Sequence, residues 1–159
     1  MAFAGVPREV VALIGANQTK APVKVIRIAH QLGLRVFIEG MRASLSGKLY
    51  RDRESSAGWS ISVNKSHIPA RQRFTIAHEI GHFVLHKDKV SETVEDDTFY
   101  RSSLSNWQEA EANRFAADVL MPFSLISQLI AEGVDTPEKL AESLQVSSVA
   151  MNIRLGIPT

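Results

Sequence analysis

The 159-residue chain is 45% apolar and 22% charged, enough to bury one core in an ordinary globular domain. Its 18 Lys and Arg against 17 Asp and Glu leave a net charge of +1, which excludes bulk electrostatic attraction to nucleic acid or acidic membranes. Cysteine is absent, so disulfides and thiolate ligands are excluded and any metal site must draw on His and carboxylate. No apolar run reads as a bilayer span and the first nine residues do not read as a signal peptide, so a cytoplasmic protein is expected.

Residues 7 to 18 begin with Pro7 and carry Val10, Val11, Leu13 and Ile14, a short and poorly amphipathic helix. A second helix is predicted from Pro22, with Val23, Ile26, Ile28, Ala29 and Leu32 as its apolar face and Gly33 at its end. His30 reads as a surface or partly buried residue of this helix, with no ligand spacing to another His. Three strand candidates follow, at 34–39, 43–51 and 58–64. In the last, Trp59, Ile61 and Val63 alternate with Ser60, Ser62 and Asn64, a half-exposed pattern. A small antiparallel sheet is the expected product, with the third strand able to accept an added peptide strand if it forms an edge.

A loop through Pro69 leads into the most informative stretch, Arg71-Gln-Arg-Phe-Thr-Ile-Ala-His-Glu-Ile-Gly-His-Phe-Val-Leu-His86. It contains His78-Glu79-x-x-His82. On a helix, positions i and i+4 lie one turn apart on one face, so both imidazoles can reach the same ion. Neutral imidazole suits Zn²⁺, and Glu79 is placed to take a proton from water at the ion. Apolar neighbours (Phe74, Ile76, Ala77, Ile80, Phe83, Val84, Leu85) describe a largely buried helix with one polar stripe. Burying two His and a Glu without partners is costly, and a metal removes that cost. The plain alternative is a charged helix with satisfied histidines. His86 lies eight residues beyond His78, about 12 Å along the axis, so it is expected to cap the helix C-terminus instead of binding the same ion. Arg71 and Arg73 oppose the macrodipole at the helix entry and are expected to have carboxylate partners or a substrate role. His67, in the loop before, is expected to be exposed.

Residues 87 to 106 are polar, with Glu92, Glu95, Asp96 and Asp97, and read as a mobile loop or functional lid. The helix at 106 to 121 supplies the candidate third ligand. Glu109 and Glu111 are two apart and cannot both face the metal. Glu109 shares a face with Asn113, which would give a ligand and a supporting hydrogen-bonding group, so Glu109 is favoured, with Glu111 the open alternative. Mn²⁺ or Fe²⁺ could also occupy a site of two His and a carboxylate. For stabilising an oxyanion, Tyr100, Arg101 and His67 are candidates by residue chemistry alone. Three further helical segments follow, within 124–131, 136–144 and 149–155.

Together with Glu109-Ala-Glu-Ala-Asn-Arg-Phe-Ala-Ala-Asp-Val-Leu-Met-Pro122, the stretch ending at His86 resembles the ImmA/IrrE family of zinc metallopeptidases. The resemblance implies an α+β fold: a small antiparallel sheet on a zincin-like helical core of the H-E-x-x-H helix and the Glu-bearing helix. It implies Zn²⁺ on His78, His82 and Glu109, a gluzincin-like arrangement, with Glu79 as catalytic base. It also implies site-specific endopeptidase cleavage of a partner protein, typically an Xre-type helix-turn-helix repressor or an antitoxin, in transcription or stress regulation. The competing reading is a catalytically silent metal-binding module that sequesters or senses for a transcriptional regulator. The expected division is a peptidase domain over 1–122 and a helical extension over 123–159 packed on it. Residues 137 to 155 resemble a helix-turn-helix. With only Arg154 as a base-reading cation and no basic patch, that segment is read as structural or substrate-docking, and no direct nucleic-acid or membrane partner is expected.

Overall fold

The computed structural model describes residues 2–97 and 104–158. In chain order the elements are α1 Arg8–Ala16, α2 Val25–Gln31, β1 Arg35–Glu39, β2 Leu45–Arg51, β3 Trp59–Asn64, α3 Pro69–His86, a 3₁₀ turn Lys87–Lys89 and β4 Thr93–Asp97. After these come α4 Asn106–Leu120, α5 Phe123–Ala131, α6 Pro137–Leu144 and α7 Ser148–Leu155. The fold is α+β.

The sheet differs from the expected antiparallel one. It is mixed and four-stranded, in the order β1-β3-β2-β4. β2 pairs antiparallel with both β3 and β4, while β1 runs parallel to β3, with Val36 opposite Ile61. The β2–β3 hairpin folds back so that β3, not β2, lies beside β1. Strand β3 is therefore central and buried on both faces, Ser60, Ser62 and Asn64 included. Period-2 alternation suggested a half-exposed strand because it reports side-chain polarity, not what covers the polar face. The polar residues are satisfied inside: Asn64 donates to the Leu45 carbonyl (2.9 Å) and Ser60 donates to Asp52. With β3 enclosed, β1 and β4 are the edges of the sheet among the described residues.

The stretch after His86 also differs from a plain loop. Residues 93–97 form β4, with Val94 opposite Leu49 and Asp96 opposite Gly47. Only Val94 of this strand is fully buried. Arg42 ties down the acidic end of β4, 2.8 Å from Asp97 and 3.3 Å from Glu95.

Helix α3 packs on β2, β3, α2 and α4 and carries the core outward from the sheet. Pro69 sits in its first turn, where a missing N–H costs nothing. Arg71 and Arg73 at its entry find neutral partners instead of carboxylates. Arg71 donates to Ser46 Oγ (3.0 Å), and Arg73 donates to the carbonyls of Val23 (2.8 Å) and Gln145 (3.3 Å). Two close approaches set the packing. A Cβ on Gly47 would lie 2.6 Å from both the Ser62 carbonyl oxygen and Thr75 Cγ2, so β2 meets β3 and α3 only because residue 47 has no side chain. A Cβ on Gly81 would lie 3.0 Å from a ring carbon of Phe115, which brings α3 and α4 together at the level of His78 and His82.

Helix α4 starts with a capping box: Ser105 Oγ accepts from the Gln108 backbone N–H, and Gln108 Oε1 accepts from the Ser105 N–H (2.9 Å). The stretch Asn106–Ala131 is long and apolar enough to cross a membrane, contrary to the sequence expectation. It is two helices separated around Pro122, with Phe115, Val119, Leu120, Leu125 and Leu129 in the core. Helices α6 and α7 pack on each other through a turn in which Gln145 adopts φ 54°. Arg154 of α7 is fastened to α4, 3.0 Å from Asp118 and donating to the Met121 carbonyl (2.8 Å).

Candidate metal centre

The apolar spacing of α3 turns Ile76, Ala77, Ile80 and Phe83 into the core and carries His78, Glu79 and His82 in with them. His78 is 3% exposed, and Glu79 and His82 are fully buried. The two imidazoles meet edge to face, ring centroids 4.6 Å apart. From α4, Glu109 aims one carboxylate oxygen at both: Oε1 lies 3.1 Å from His78 Nε2 and 3.2 Å from His82 Nε2. Glu111 points elsewhere, to His86 Nε2 at 3.0 Å. On the far side of His78, Nδ1 lies 2.8 Å from Asn113 Oδ1, which accepts its proton. That bond leaves His78 Nε2 as the nitrogen facing Glu109.

Glu109 Oε1 stands at a ligand-like distance from each of the two histidine nitrogens. Donor atoms bound tetrahedrally to zinc at 2.0–2.1 Å lie about 3.3 Å from one another, close to the His–Glu separations here. Glu79 gives a second indication. Both of its carboxylate oxygens are buried and, with His67 Nδ1, are the buried side-chain polar atoms without a hydrogen-bond partner among the described residues. A carboxylate in that state is destabilised unless a cation or water completes its surroundings. His78, Glu79 and His82 have ligand atoms close enough together to hold a metal ion. The residues present fit a divalent cation.

The electrostatics follow from burial against mutual attraction. Burial disfavours charge on His78, but the hydrogen bond to Glu109 and the carboxylates of Glu79, Asp96 and Glu109 outweigh it and raise its pKa to about 9. Burial dominates at Glu79 and pushes its carboxyl well above the usual carboxylate range, opposed by His78 and reinforced by Asp96 and Glu109. Burial also lowers His82, only partly offset by the Glu109 hydrogen bond.

Of the residues singled out from sequence, the fold brings together His78, Glu79, His82, Glu109 and Asn113. Tyr100 and Arg101 lie outside the described residues. His67 is not exposed as expected: it is half-buried, with Nε2 3.2 Å from the Ala43 carbonyl. Nor does His86 cap its helix. It is 1% exposed and lies between His82 and Glu111, because α4 packs on α3 and brings the Glu111 carboxylate to the ring.

Asp96 was missed. Its Oδ2 lies 4.0 Å from His78 Nε2, and His78, Asp96 and Glu109 form a second group able to hold a cation. The sequence signal for its strand was one buried apolar residue, Val94, within an acidic run. Asp96 enters the site through the pairing of β4 with β2, which no local pattern announces.

Comparison with known proteins places this geometry. Two relatives, each named radiation response metalloprotease IrrE, align with more than half of the chain. The Deinococcus radiodurans protein is 34% identical over 95 residues, covering 60% of this chain and 29% of its own length. The Deinococcus deserti protein is 36% identical over 90 residues, covering 57% and 32%. The chain thus spans less than a third of the length of these relatives. A solved structure described as a Mycobacterium tuberculosis transcriptional regulator shares the fold at 13% identity. Its TM-score is 0.62, over 96% of this chain and 48% of that one. Residues 29–156 match the model of the IrrE N-terminal-like domain, most of the chain, and the chain therefore belongs to that family.

Proposed function

We propose that the chain is a zinc-dependent, gluzincin-like endopeptidase in which His78, His82 and Glu109 hold the ion and Glu79 is the general base. The observation that carries this reading is the Glu79 carboxylate, fully buried beside two histidines and a glutamate with neither oxygen partnered among the described residues. Zn²⁺ bound there would acidify water and polarise a peptide carbonyl. Glu79 takes the proton of the attacking water and delivers it to the leaving amine, which its raised affinity for protons favours. Asn113 holds His78 in the tautomer whose Nε2 faces the ion.

The substrate is read as a protein, with an Xre-type helix-turn-helix repressor or an antitoxin as the partner and a cytoplasmic setting. The names of the relatives, a radiation response metalloprotease, support a peptidase in a stress response. An extended substrate segment fits the outer side of β4, the edge strand among the described residues and the one that carries Asp96 to the site. The edge on β3 considered from sequence is not available, since β1 and β2 flank it. Residues 1–122 are taken as the peptidase unit, with 123–159 packed on it. Reading the last two helices as structural or substrate-docking, not DNA-binding, is supported by Arg154, the one cation available for bases in α7. Its guanidinium is engaged by Asp118, the Met121 carbonyl and the ring of Phe123 (4.0 Å).

The test is Glu79→Gln beside the wild type, with zinc content and cleavage of candidate repressors measured together. The expected outcome is retained zinc with cleavage lost. Cleavage at the wild-type rate would remove Glu79 from the mechanism, and absence of bound metal from both proteins would remove the peptidase reading.

A further inference from the structure

A third histidine stands directly behind the site. His86 Nδ1 lies 2.9 Å from His82 Nδ1, and His86 Nε2 lies 3.0 Å from Glu111 Oε1. Two ring nitrogens at that separation share one proton, so one of them donates and the other accepts. Two carboxylates compete over which, Glu111 at His86 Nε2 and Glu109 at His82 Nε2, and a cation on His82 Nε2 leaves the choice to Glu111. An ionised Glu111 only accepts, so His86 carries its proton on Nε2 and presents a lone pair at Nδ1. His82 must then donate from Nδ1, and its own lone pair falls on Nε2, the nitrogen 3.2 Å from Glu109. The opposite arrangement, with His82 donating from Nε2 to Glu109, closes His82 to a metal and sets the Nε2 lone pair of His86 against the carboxylate lone pairs of Glu111, so Glu111 works against it.

We propose that Glu111, acting through His86, sets the tautomer of His82 and so prepares His82 Nε2 for the metal. Glu111 and His86 are positioning residues, and they do for His82 what Asn113 does for His78. Each imidazole is held by its Nδ1, one by a direct contact from α4 and the other by a two-step chain from α4. This assigns a role to the second glutamate of the Glu109-Ala-Glu111 pair: the two carboxylates address opposite ends of one histidine array, Glu109 the ion and Glu111 the ring behind it. Glu111 is also one-third exposed, at the wall of a cavity of about 230 Å³ lined by Phe3, Leu85, Trp107 and Arg114. The control point of the chain is therefore reachable from outside the metal site.

The proposal rests on the metal reading above, and its test separates the two. Long-range ¹⁵N–¹H correlation spectra of the metal-free wild type report imidazole tautomers directly. The expected pattern is His86 protonated at Nε2 and His82 at Nδ1. Zinc affinity is then measured by competition with a chromophoric chelator for wild type, Glu111→Ala and Glu111→Gln. The loss of an outer hydrogen-bond partner of a metal-bound His is expected to weaken zinc by roughly 10- to 100-fold in Glu111→Ala. Glu111→Gln is expected to restore most of it, because its carbonyl oxygen can still accept from His86. In Glu111→Ala the His86 signals are expected to move to a mixture of tautomers. A wild-type His86 protonated at Nδ1 overturns the proposal, as does unchanged zinc affinity in Glu111→Ala. A wild type that binds no zinc overturns the metal reading instead, and the metal-free spectra still decide the tautomers.

Discussion

Asn113 Oδ1 accepts a 2.8 Å hydrogen bond from His78 Nδ1, across the interface between the two helices that build the site. The bond ties one turn of α4 to one turn of α3, and it holds the ring with Nε2 turned toward Glu109. Removing the acceptor frees the ring to rotate and to change tautomer. Asn113→Ala is expected to weaken zinc binding roughly 10- to 100-fold, and Asn113→Asp to retain most of it, since a carboxylate oxygen accepts the same proton. Zinc competition titrations at fixed pH check both. Equal affinity in wild type and Asn113→Ala would remove Asn113 from the support of the site.

Zinc affinity is expected to rise with pH. Metal requires a neutral imidazole, and His78 in the free site keeps its proton up to about pH 9. Each bound zinc therefore displaces one proton below that pH, and the logarithm of the apparent affinity is expected to climb by about one per pH unit from 7 toward 9, then level off. His82, with its pKa lowered, adds no further proton in that range. The same shift gives the metal-free fold a pH dependence. Because the folded pKa of His78 lies above its unfolded value of 6.5, its contribution to stability is complete below 6.5 and is lost as pH rises through about 9. Proton release on zinc addition, followed by a pH indicator in weak buffer, measures the first effect. Release that stays constant from pH 7 to 10 would contradict it.

Gly47 offers a test of the packing beneath the site. A Cβ there would meet a backbone oxygen on one side and Thr75 of α3 on the other, each at 2.6 Å, and the backbone oxygen cannot turn away. Gly47→Ala is expected to cost about 2–3 kcal/mol, at the upper end of ordinary overpacking. Gly133→Ala is a poor control because Gly133 has φ 96°; Gly15→Ala, in α1 with open space around it, is the better one. Urea melts should separate the two, with Gly15→Ala at or above wild-type stability.

Arg154 ties α7 to α4 through a largely buried ion pair with Asp118, side chains 13% and 10% exposed, and lies over the ring of Phe123. Arg154→Ala strands Asp118 and removes the contact with Phe123. It is expected to destabilise the fold by about 2–4 kcal/mol, since breaking one side of a buried pair costs more than the pair itself contributes. Arg154→Met, which keeps the aliphatic stem, is expected to lose less. If α7 instead used Arg154 to read nucleic acid, Arg154→Ala would leave the melting curve unchanged and abolish salt-dependent duplex binding.

That His78, Glu79, His82, Glu109 and Asn113 would meet was legible in the sequence because local geometry governs them. The i, i+4 spacing puts His78 and His82 on one helix face whatever surrounds the helix, and Glu109 shares a face with Asn113 by the same arithmetic. Helices with strong periodicity and capping or terminating residues, such as α4 and α6, came through for the same reason. Tertiary structure decided what depends on neighbours distant in the chain. Whether β3 was an edge or a centre depended on β1 lying parallel beside it, so its serines and Asn64 were buried against expectation. That 93–97 is a strand, and that Asp96 reaches His78, depended on pairing with β2 across some 50 residues, where an acidic run gives almost no apolar signal. His86 had the composition of a helix cap, and only the packing of α4 over the end of α3, close because Gly81 has no side chain, turned it into the link between Glu111 and His82. Sequence periodicity reports which side of an element a residue occupies; what stands on that side is settled only when the elements meet.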